Sequence, residues 1–186
     1  SGLVGSEMCI RDSDNIGIGA LTLSDNISGS FNTVVGNYSD GSTAGNLDNV
    51  TIMGFNTMVN SSNKAFFGNA WVSSNGGQVN WTAYSDGRIK RDIKENVPGL
   101  EFINQLRPVT YHFDTKKECA LLGIKDSAQW KSKYDIEKIQ FSGFIAQEVD
   151  QAAQKIGYDF SGVDKSDKIL GLRYSEFVVP MVKSIQ

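Results

Sequence analysis

Two residues that could do hydrolytic chemistry together stand in the segment 84-YSDGRIKRDIKENVPGL-100: the serine Ser85 and the lysine Lys90. A serine hydroxyl is a weak nucleophile and needs a base to accept its proton. A lysine can be that base only as the neutral amine, so its ordinary pKa of roughly 10.4 would have to fall by several units. Burial or nearby positive charge favours the neutral form, and negative charge opposes it. The charged neighbours are Arg88, Arg91 and Lys94 on one side of this balance and Asp86 and Asp92 on the other.

The spacing of five residues constrains how Ser85 and Lys90 can meet. On a helix it leaves the two side chains about 140° apart, and on a strand it places them on opposite faces. Regular structure therefore does not join them within one chain. Asp86-Gly87 is a strong turn signal that could fold the chain back, or Lys90 could come from a neighbouring chain. Both routes remain open.

Other chemistry-bearing residues favour structural roles. His112 lies in an alternating strand pattern without Cys or carboxylate partners at metal-ligand spacing. Cys119 has no histidine placed to activate it, and Glu148 is expected on a helix surface or at a contact between chains. The run 88-RIKRDIK-94 is interrupted by Asp92 and followed by Glu95, which favours a solvated surface, or an effect on the pKa of Lys90, over a nucleic-acid site. GxGxxG and GKS/T phosphate loops are absent from the sequence, and we expect neither a metal nor a cofactor.

Composition divides the 186 residues into two parts at this segment. Up to Tyr84 there are two Lys/Arg and six Asp/Glu, whereas from Ser85 onward there are sixteen and fifteen. The change predicts a domain boundary. The net charge of -3 gives no pull toward nucleic acid or an anionic membrane. There is no secretory signal and no apolar run near the roughly 18 residues of a membrane span, so we expect a protein made in the cytoplasm.

Both ends of the chain are expected to be incomplete or foreign. Residues 1–13, SGLVGSEMCIRDS, resemble a translated sequencing adapter, and we treat them, Cys9 included, as an artefact. The chain stops at Ser184-Ile185-Gln186 within an apolar-patterned segment, which is typical of a truncated protein.

Residues 14–70 contain a repeat in which Asn, a short apolar stretch and Gly follow one another. Each copy predicts one short strand and a turn, and such strands bury their apolar face only when the copies stack on a shared core. The fold expected is an all-β stack, either a β-roll or β-prism or, alternatively, a β-sandwich. Residues 71–84, with Trp71, Trp81 and Tyr84, are predicted to form a hairpin or neck. The four copies are 15-NIGIG-19, 32-NTVVG-36, 49-NVTIMG-54 and 63-NKAFFG-68.

Residues 85–186 predict an α+β domain with alternating helices and strands. A short helix is expected from Pro98 to Arg107 and a helix over 126–138. Residues 139–157 should pass from a strand through Gly143 into a helix that stops at Gly157. Strands are expected at 109–113 and 169–174, followed by a last helix from Ser175 that Pro180 kinks or delays.

Two resemblances suggest a function. The phrases NTVVG and IMGFNT are similar to the head repeats of trimeric autotransporter adhesins and to phage tail-fibre shafts. The ordered phrases SDGRIKRDI, LEFINQLRPVTYHF, GFIAQEV and LGLRYSEFVVPMVKSIQ resemble the C-terminal intramolecular chaperone domain of endosialidases and phage tail spikes, and the autoprocessing region of myelin regulatory factor. Family members usually continue into long helices, which are missing here.

The second resemblance implies an obligate homotrimer that helps the β-rich shaft of its own chain to fold, and that is then released by cutting itself off directly before a serine. It places the nucleophile on Ser85, the base on Lys90 and the scissile bond between Tyr84 and Ser85. Asp86, Gly87 and Arg88 would shape the turn and tune the lysine. The protein would belong to a virion, as part of a tail fibre or spike.

Two alternatives stay open at this point. One is a trimerisation domain of a fibre or adhesin that does not cleave, in which Ser85 only caps the following segment. The other is a membrane-tethered transcription factor released by cleavage, which the Gly/Asn-rich, non-basic N-terminal half argues against.

Overall fold

The computed structural model describes residues 14–41 and 46–186, so the expected artefact at residues 1–13, with Cys9, lies outside the described residues. The described residues divide into two compact units. The first contains the described residues up to Ser73, together with residues 112–140 and 166–169; the second contains residues 74–111, 141–165 and 170–186. The units interleave along the chain, and the domain boundary expected at residue 84 stays a prediction.

The asparagine–glycine repeat forms four short strands, which lie where the sequence predicts them. They are β1 (Ile16–Ile18), β2 (Thr33–Val35), β4 (Thr51–Met53) and β6 (Ala65–Phe67). Neighbouring strands pair in parallel and in chain order, with Gly17 opposite Val34, Val34 opposite Ile52, and Ile52 opposite Phe66. The order places equivalent positions of the repeat side by side.

The closing glycines of the repeat are needed at close approaches between neighbouring copies. Gly36 has φ +143°, and a Cβ there would lie 1.7 Å from the carbonyl oxygen of Gly54. Only glycine combines that backbone conformation with that spacing. The shared core consists of Val34, Val50, Ile52 and Val59, all of them fully buried or nearly so.

Asparagines connect successive copies through the backbone. The side chain of Asn32 donates to the carbonyl of Leu47 at 2.6 Å and accepts from the backbone N–H of Val50 at 3.0 Å. A second parallel pair joins β3 (Asp40–Gly41), which comes after β2 in the chain, to β5 (Met58–Val59), which comes after β4. Whether this stack is a β-roll or β-prism within a trimer stays a prediction.

Residues 112–140 complete the first unit. The helix α2 (Thr115–Leu122) begins at the capping carboxylate of Asp114 and ends at Gly123 in the left-handed conformation. This helix was not predicted from the sequence. The helix predicted over 126–138 is wrong: only a 3-10 turn at Asp135–Lys138 forms there. Instead, Lys133 turns inward and donates to the carboxylate of Asp126 and the carbonyl of Ala128, contacts that fix an irregular loop.

The second unit is α+β in composition and is built around one aromatic-rich core. Its helices are α1 (Leu100–Ile103), α3 (Ala146–Lys155) and α4 (Val178–Ile185). Two antiparallel pairs join β7 (Val109–Tyr111) to β8 (Phe141–Gly143) and β9 (Val163–Asp164) to β10 (Gly171–Leu172). The buried core residues are Phe102, Val149, Ala152, Ala153, Phe160, Val163 and Phe177.

Most elements predicted for this unit are confirmed, with shorter bounds. The helix after β8 ends before Gly157, which has φ +66°. The last helix is delayed: a 3-10 turn spans Tyr174–Phe177, and Pro180 lies in the first turn of α4, where proline is tolerated. Of the two alternatives for residues 71–84, the hairpin is wrong, since no strand forms there, and the neck stays a prediction. Among residues 14–41 and 46–186, no helix is both long and apolar enough to cross a membrane.

Candidate active site

The residues singled out for chemistry lie in a long exposed segment of the second unit. Residues 74–96 are exposed throughout, and their one regular element is a 3-10 turn at Gly87–Ile89. Tyr84, which precedes Ser85, is 93% exposed, and Trp81 is 91% exposed. The peptide bond between Tyr84 and Ser85 is therefore in an accessible stretch of chain.

The turn after Ser85 is made by the Asp86 side chain. Its Oδ1 atom accepts the backbone N–H of Arg88 at 2.9 Å, which caps the 3-10 turn. The backbone N–H of Lys90 then donates to the carbonyl of Gly87 at 3.2 Å and closes it. Gly87 has open space around it and no positive φ. The turn predicted from Asp86-Gly87 is present, but it depends on the aspartate cap.

The capped turn brings the predicted pair together within one chain. Lys90 Nζ donates to Ser85 Oγ at 2.7 Å. Neither the helical nor the extended conformation allows this contact at a spacing of five residues, so it exists because the turn reverses the chain. The contact within one chain is therefore possible, and a lysine from a neighbouring chain stays a prediction.

The two charges expected to act on the lysine with opposite signs bind each other. Arg88 contacts both carboxylate oxygens of Asp86, with Nε at 3.1 Å from each and Nη2 at 2.6 Å from Oδ2. Through these bonds the Arg88 side chain lowers the pKa of Asp86, with the Arg88 backbone N–H as a smaller cause. The same pairing raises the pKa of Arg88. Asp86 and Arg88 therefore neutralise each other beside the serine and lysine.

A hydroxyl in hydrogen-bond contact with an amine can lose its proton to that amine when the amine is neutral. The geometry of Ser85 and Lys90 fits that role. Both residues are exposed in the single chain.

The remaining sequence candidates lie on other elements of the chain. His112 is exposed just after β7, and Cys119 is buried in α2, where desolvation raises the pKa of its thiol. Glu148, in the first turn of α3, accepts both Nε and Nη2 of Arg107, at 3.0 and 2.5 Å. Within residues 14–41 and 46–186, no group of three or more His, Cys, Asp or Glu could hold a metal ion.

The first unit contains a buried charge that was not predicted from the sequence. Lys133 is 1% exposed, and its ammonium lies over the rings of Trp71, Trp130 and Tyr134. The spacing of Trp130, Lys133 and Tyr134 was a usable signal, because it placed two aromatic rings within reach of one lysine. Trp71 could not have been added to that group from the sequence.

Comparisons with known proteins bear on the segment that contains the pair. Residues 85–158 match the family model described as chaperone of endosialidase. No curated protein and no solved structure matches the chain. The match begins at Ser85 and includes Lys90, α1, β7, α2, β8 and α3. Residues 85–158 are thus similar to the endosialidase chaperone family.

Proposed function

We propose that residues 85–186 are an intramolecular chaperone of a phage tail fibre or tail spike, which joins three chains and then cuts its own chain between Tyr84 and Ser85. The observation that carries this proposal is the 2.7 Å contact between Lys90 Nζ and Ser85 Oγ, at the start of the segment that matches the endosialidase chaperone family. Ser85 is the nucleophile and Lys90 the base.

The upstream repeat supports a fibrous substrate for this chaperone. Strands β1, β2, β4 and β6 pair in parallel and in chain order, as expected for a β-roll or β-prism that grows by stacking. Such stacks leave strand edges and apolar faces that neighbouring chains can cover. A domain that aligns three chains would help three such stacks to fold in register.

The cleavage reaction uses one hydroxyl, one amine and one water. Neutral Lys90 takes the proton of Ser85 Oγ while that oxygen attacks the carbonyl carbon of Tyr84. The bond between this carbon and the Ser85 nitrogen breaks, and the nitrogen takes the proton from Lys90 to become a free amine, which restores the neutral lysine. Water then hydrolyses the Tyr84–Ser85 ester, which leaves a carboxylate on Tyr84 and restores the serine hydroxyl. Each chain reacts once.

The exposure of the pair suggests when cleavage occurs. In the single chain Ser85 and Lys90 are both in contact with solvent, and burial is what favours a neutral amine. We infer that a neighbouring chain in the trimer covers the turn at residues 85–90. Cleavage would then wait for assembly, and a misassembled chain would stay uncut.

The test is the mass of the products from the expressed chain. We expect two pieces, one ending at Tyr84 and one beginning at Ser85, on a denaturing gel and by mass spectrometry. Ser85→Ala and Lys90→Ala should give a single uncut chain, because each removes a member of the pair. The matched control is Lys155→Ala, an exposed lysine at the end of α3 that lies outside residues 85–94, which should cleave normally. Cleavage of Ser85→Ala at the same bond would refute the assignment.

The same exposure favours one rival, a trimerisation domain that does not cleave. In that case Lys90 only steadies the turn at Asp86, and the wild-type chain stays intact even when it is trimeric. Light scattering coupled to size-exclusion chromatography measures the oligomeric mass and, together with a denaturing gel, distinguishes the two hypotheses. A trimer that remains uncut after prolonged incubation supports the rival, and a trimer that cleaves supports our proposal.

A further inference from the structure

The bond between Tyr84 and Ser85 divides the first unit into two pieces. Residues up to Ser73 precede the bond, whereas residues 112–140 and 166–169 follow it, and all of them belong to one compact unit. Ala70 and Trp71 from the upstream side share a buried core with Cys119 from the downstream side. Phe55, Ile124 and Tyr134 pack around this core. Cleavage would therefore cut a chain whose two parts still have a common core.

A cage around Lys133, hereafter the lysine cage, is the most specific part of this contact. Its ammonium lies 4.5 Å from the centre of the Trp71 ring, 5.1 Å from Trp130 and 5.5 Å from Tyr134. Cation–π attraction is strongest when the cation is desolvated, and Lys133 is 1% exposed. Trp71 is the upstream wall of the cage; every other member follows the scissile bond.

The charge of Lys133 is balanced from the downstream side alone. Its Nζ donates to the carboxylate of Asp126 and to the carbonyl of Ala128. The downstream piece therefore contains the ammonium of Lys133 together with its carboxylate partner, and Trp71 covers one side of this ammonium. If Trp71 left, the buried ammonium would lose an aromatic wall and gain contact with water.

Aromatic and amide contacts outside the lysine cage also join the upstream and downstream residues of the first unit. Trp130 packs edge-on against Trp71 and Phe55, with ring centres 5.5 and 6.2 Å apart. The amide of Asn56 donates to the carbonyl of Lys125 at 3.4 Å, and that of Asn60 to the carboxylate of Asp167 at 2.9 Å. These contacts all join the last copies of the repeat to residues that follow the scissile bond.

We propose that residues 112–140 bind the end of the upstream repeat, and that the lysine cage delays release of the downstream piece after the chain is cut. The position of the cut rests on the proposed function. Cleavage then changes a tethered contact into a bimolecular one and removes the high effective concentration of the tether. The lifetime of the cut protein is set by the cage and by Trp130.

The test imposes the cut, so that it does not depend on self-cleavage. In the full chain with Ser85→Ala, residues 75–80 of the exposed segment are replaced by the recognition sequence of a site-specific protease. The protein is cut to completion and analysed by native size-exclusion chromatography at micromolar concentration. We expect both pieces in one peak. After dilution, they should separate at least about tenfold faster with Lys133→Met or Trp130→Ala, since each removes cation–π or ring contacts.

The matched control is Lys131→Met, an exposed lysine of the same loop, which should dissociate at the unsubstituted rate. Trp130 is 40% exposed, so Trp130→Ala keeps the test usable if Lys133→Met does not fold. Near-ultraviolet circular dichroism of the uncut variants verifies folding. Separation of the unsubstituted cut protein into two folded pieces would overturn the proposal, and so would unchanged dissociation of both variants. A chain that never cleaves itself would refute only the proposed function.

Discussion

Gly143 illustrates a single-residue constraint in the second unit. A Cβ at this position would lie 2.2 Å from the hydroxyl of Tyr174, which accepts the backbone N–H of Phe144 at 3.1 Å. We predict that Gly143→Ala lowers the free energy of unfolding by about 1–3 kcal/mol, because the tyrosine must move and its hydrogen bond is lost. Urea denaturation measures the change.

A double substitution tests the cause of that loss. Tyr174→Phe removes the hydroxyl that the new methyl group meets, so Gly143→Ala should cost less in that background than in the wild type. Gly76→Ala, where a Cβ meets nothing within 4 Å, should change stability little. Equal losses in both backgrounds would show that the methyl group does not clash with the Tyr174 hydroxyl.

The residues of the candidate site could be predicted from the sequence because their types limit the chemistry. Ser85 and Lys90 were predicted together, and the turn between them followed from the Asp86-Gly87 signal. The cause of the turn was not predictable in detail. Asp86 has two partners, the backbone and the side chain of Arg88, and the sequence alone does not decide between a cap, an ion pair and an effect on Lys90.

At the scale of elements, helix α2 depends on its ends. The carboxylate of Asp114 accepts the N–H of Lys117 at 2.9 Å, and Glu137 accepts the N–H and the hydroxyl of Thr115 at 3.1 and 2.6 Å. We predict that Asp114→Ala destabilises the protein by about 0.5–2 kcal/mol because a free N–H of the first turn loses its partner. Thermal or urea unfolding followed by circular dichroism measures this loss.

Asparagine serves as the matched control for this cap. Asp114→Asn keeps an oxygen that can accept the Lys117 N–H, and Asn and Asp are about equally good caps. It should therefore retain most of the stability that Asp114→Ala loses. A loss as large for asparagine as for alanine would mean that Asp114 acts through its charge and not as a cap.

Elements with local signals were predictable, and those fixed by distant contacts were not. The strands of the repeat follow from Asn and Gly at their ends, and the helix before Gly157 follows from its glycine stop. By contrast, residues 126–138 have a helical composition but form a loop. The loop is held because Lys133 is buried against Trp71, which lies far away in the sequence. A local pattern does not contain that contact.

At the scale of the whole molecule, the sequence predicted two kinds of structure but not their interleaving. Composition changes at residue 84, yet the first unit takes residues 112–140 from the downstream part. The reason is physical. The apolar end of the repeat at Ala70 and Trp71 is covered by α2 and the following loop, and that pairing is set by complementary shape between segments distant in sequence.

Cys119 can report whether the first unit unfolds as one body. It is 3% exposed, and burial raises the pKa of its thiol, so it should react slowly with a disulfide reagent in the native protein. Ile52→Ala, in the distant core of the repeat, should cost about 2–5 kcal/mol.

If the residues on both sides of the scissile bond open cooperatively, Ile52→Ala should speed labelling of Cys119 by roughly 30-fold or more. A loss of one or two kcal/mol changes the ratio of folded to unfolded protein about 5–30-fold. The rate is measured under native conditions in a Cys9→Ser background, so that Cys119 is the only thiol. Ile16→Ala, at an exposed position of β1, is the matched control and should leave the rate nearly unchanged. A repeat weakened by Ile52→Ala with unchanged labelling of Cys119 would mean that the two segments open independently. Equal acceleration by Ile16→Ala would mean that the effect does not come from the buried core.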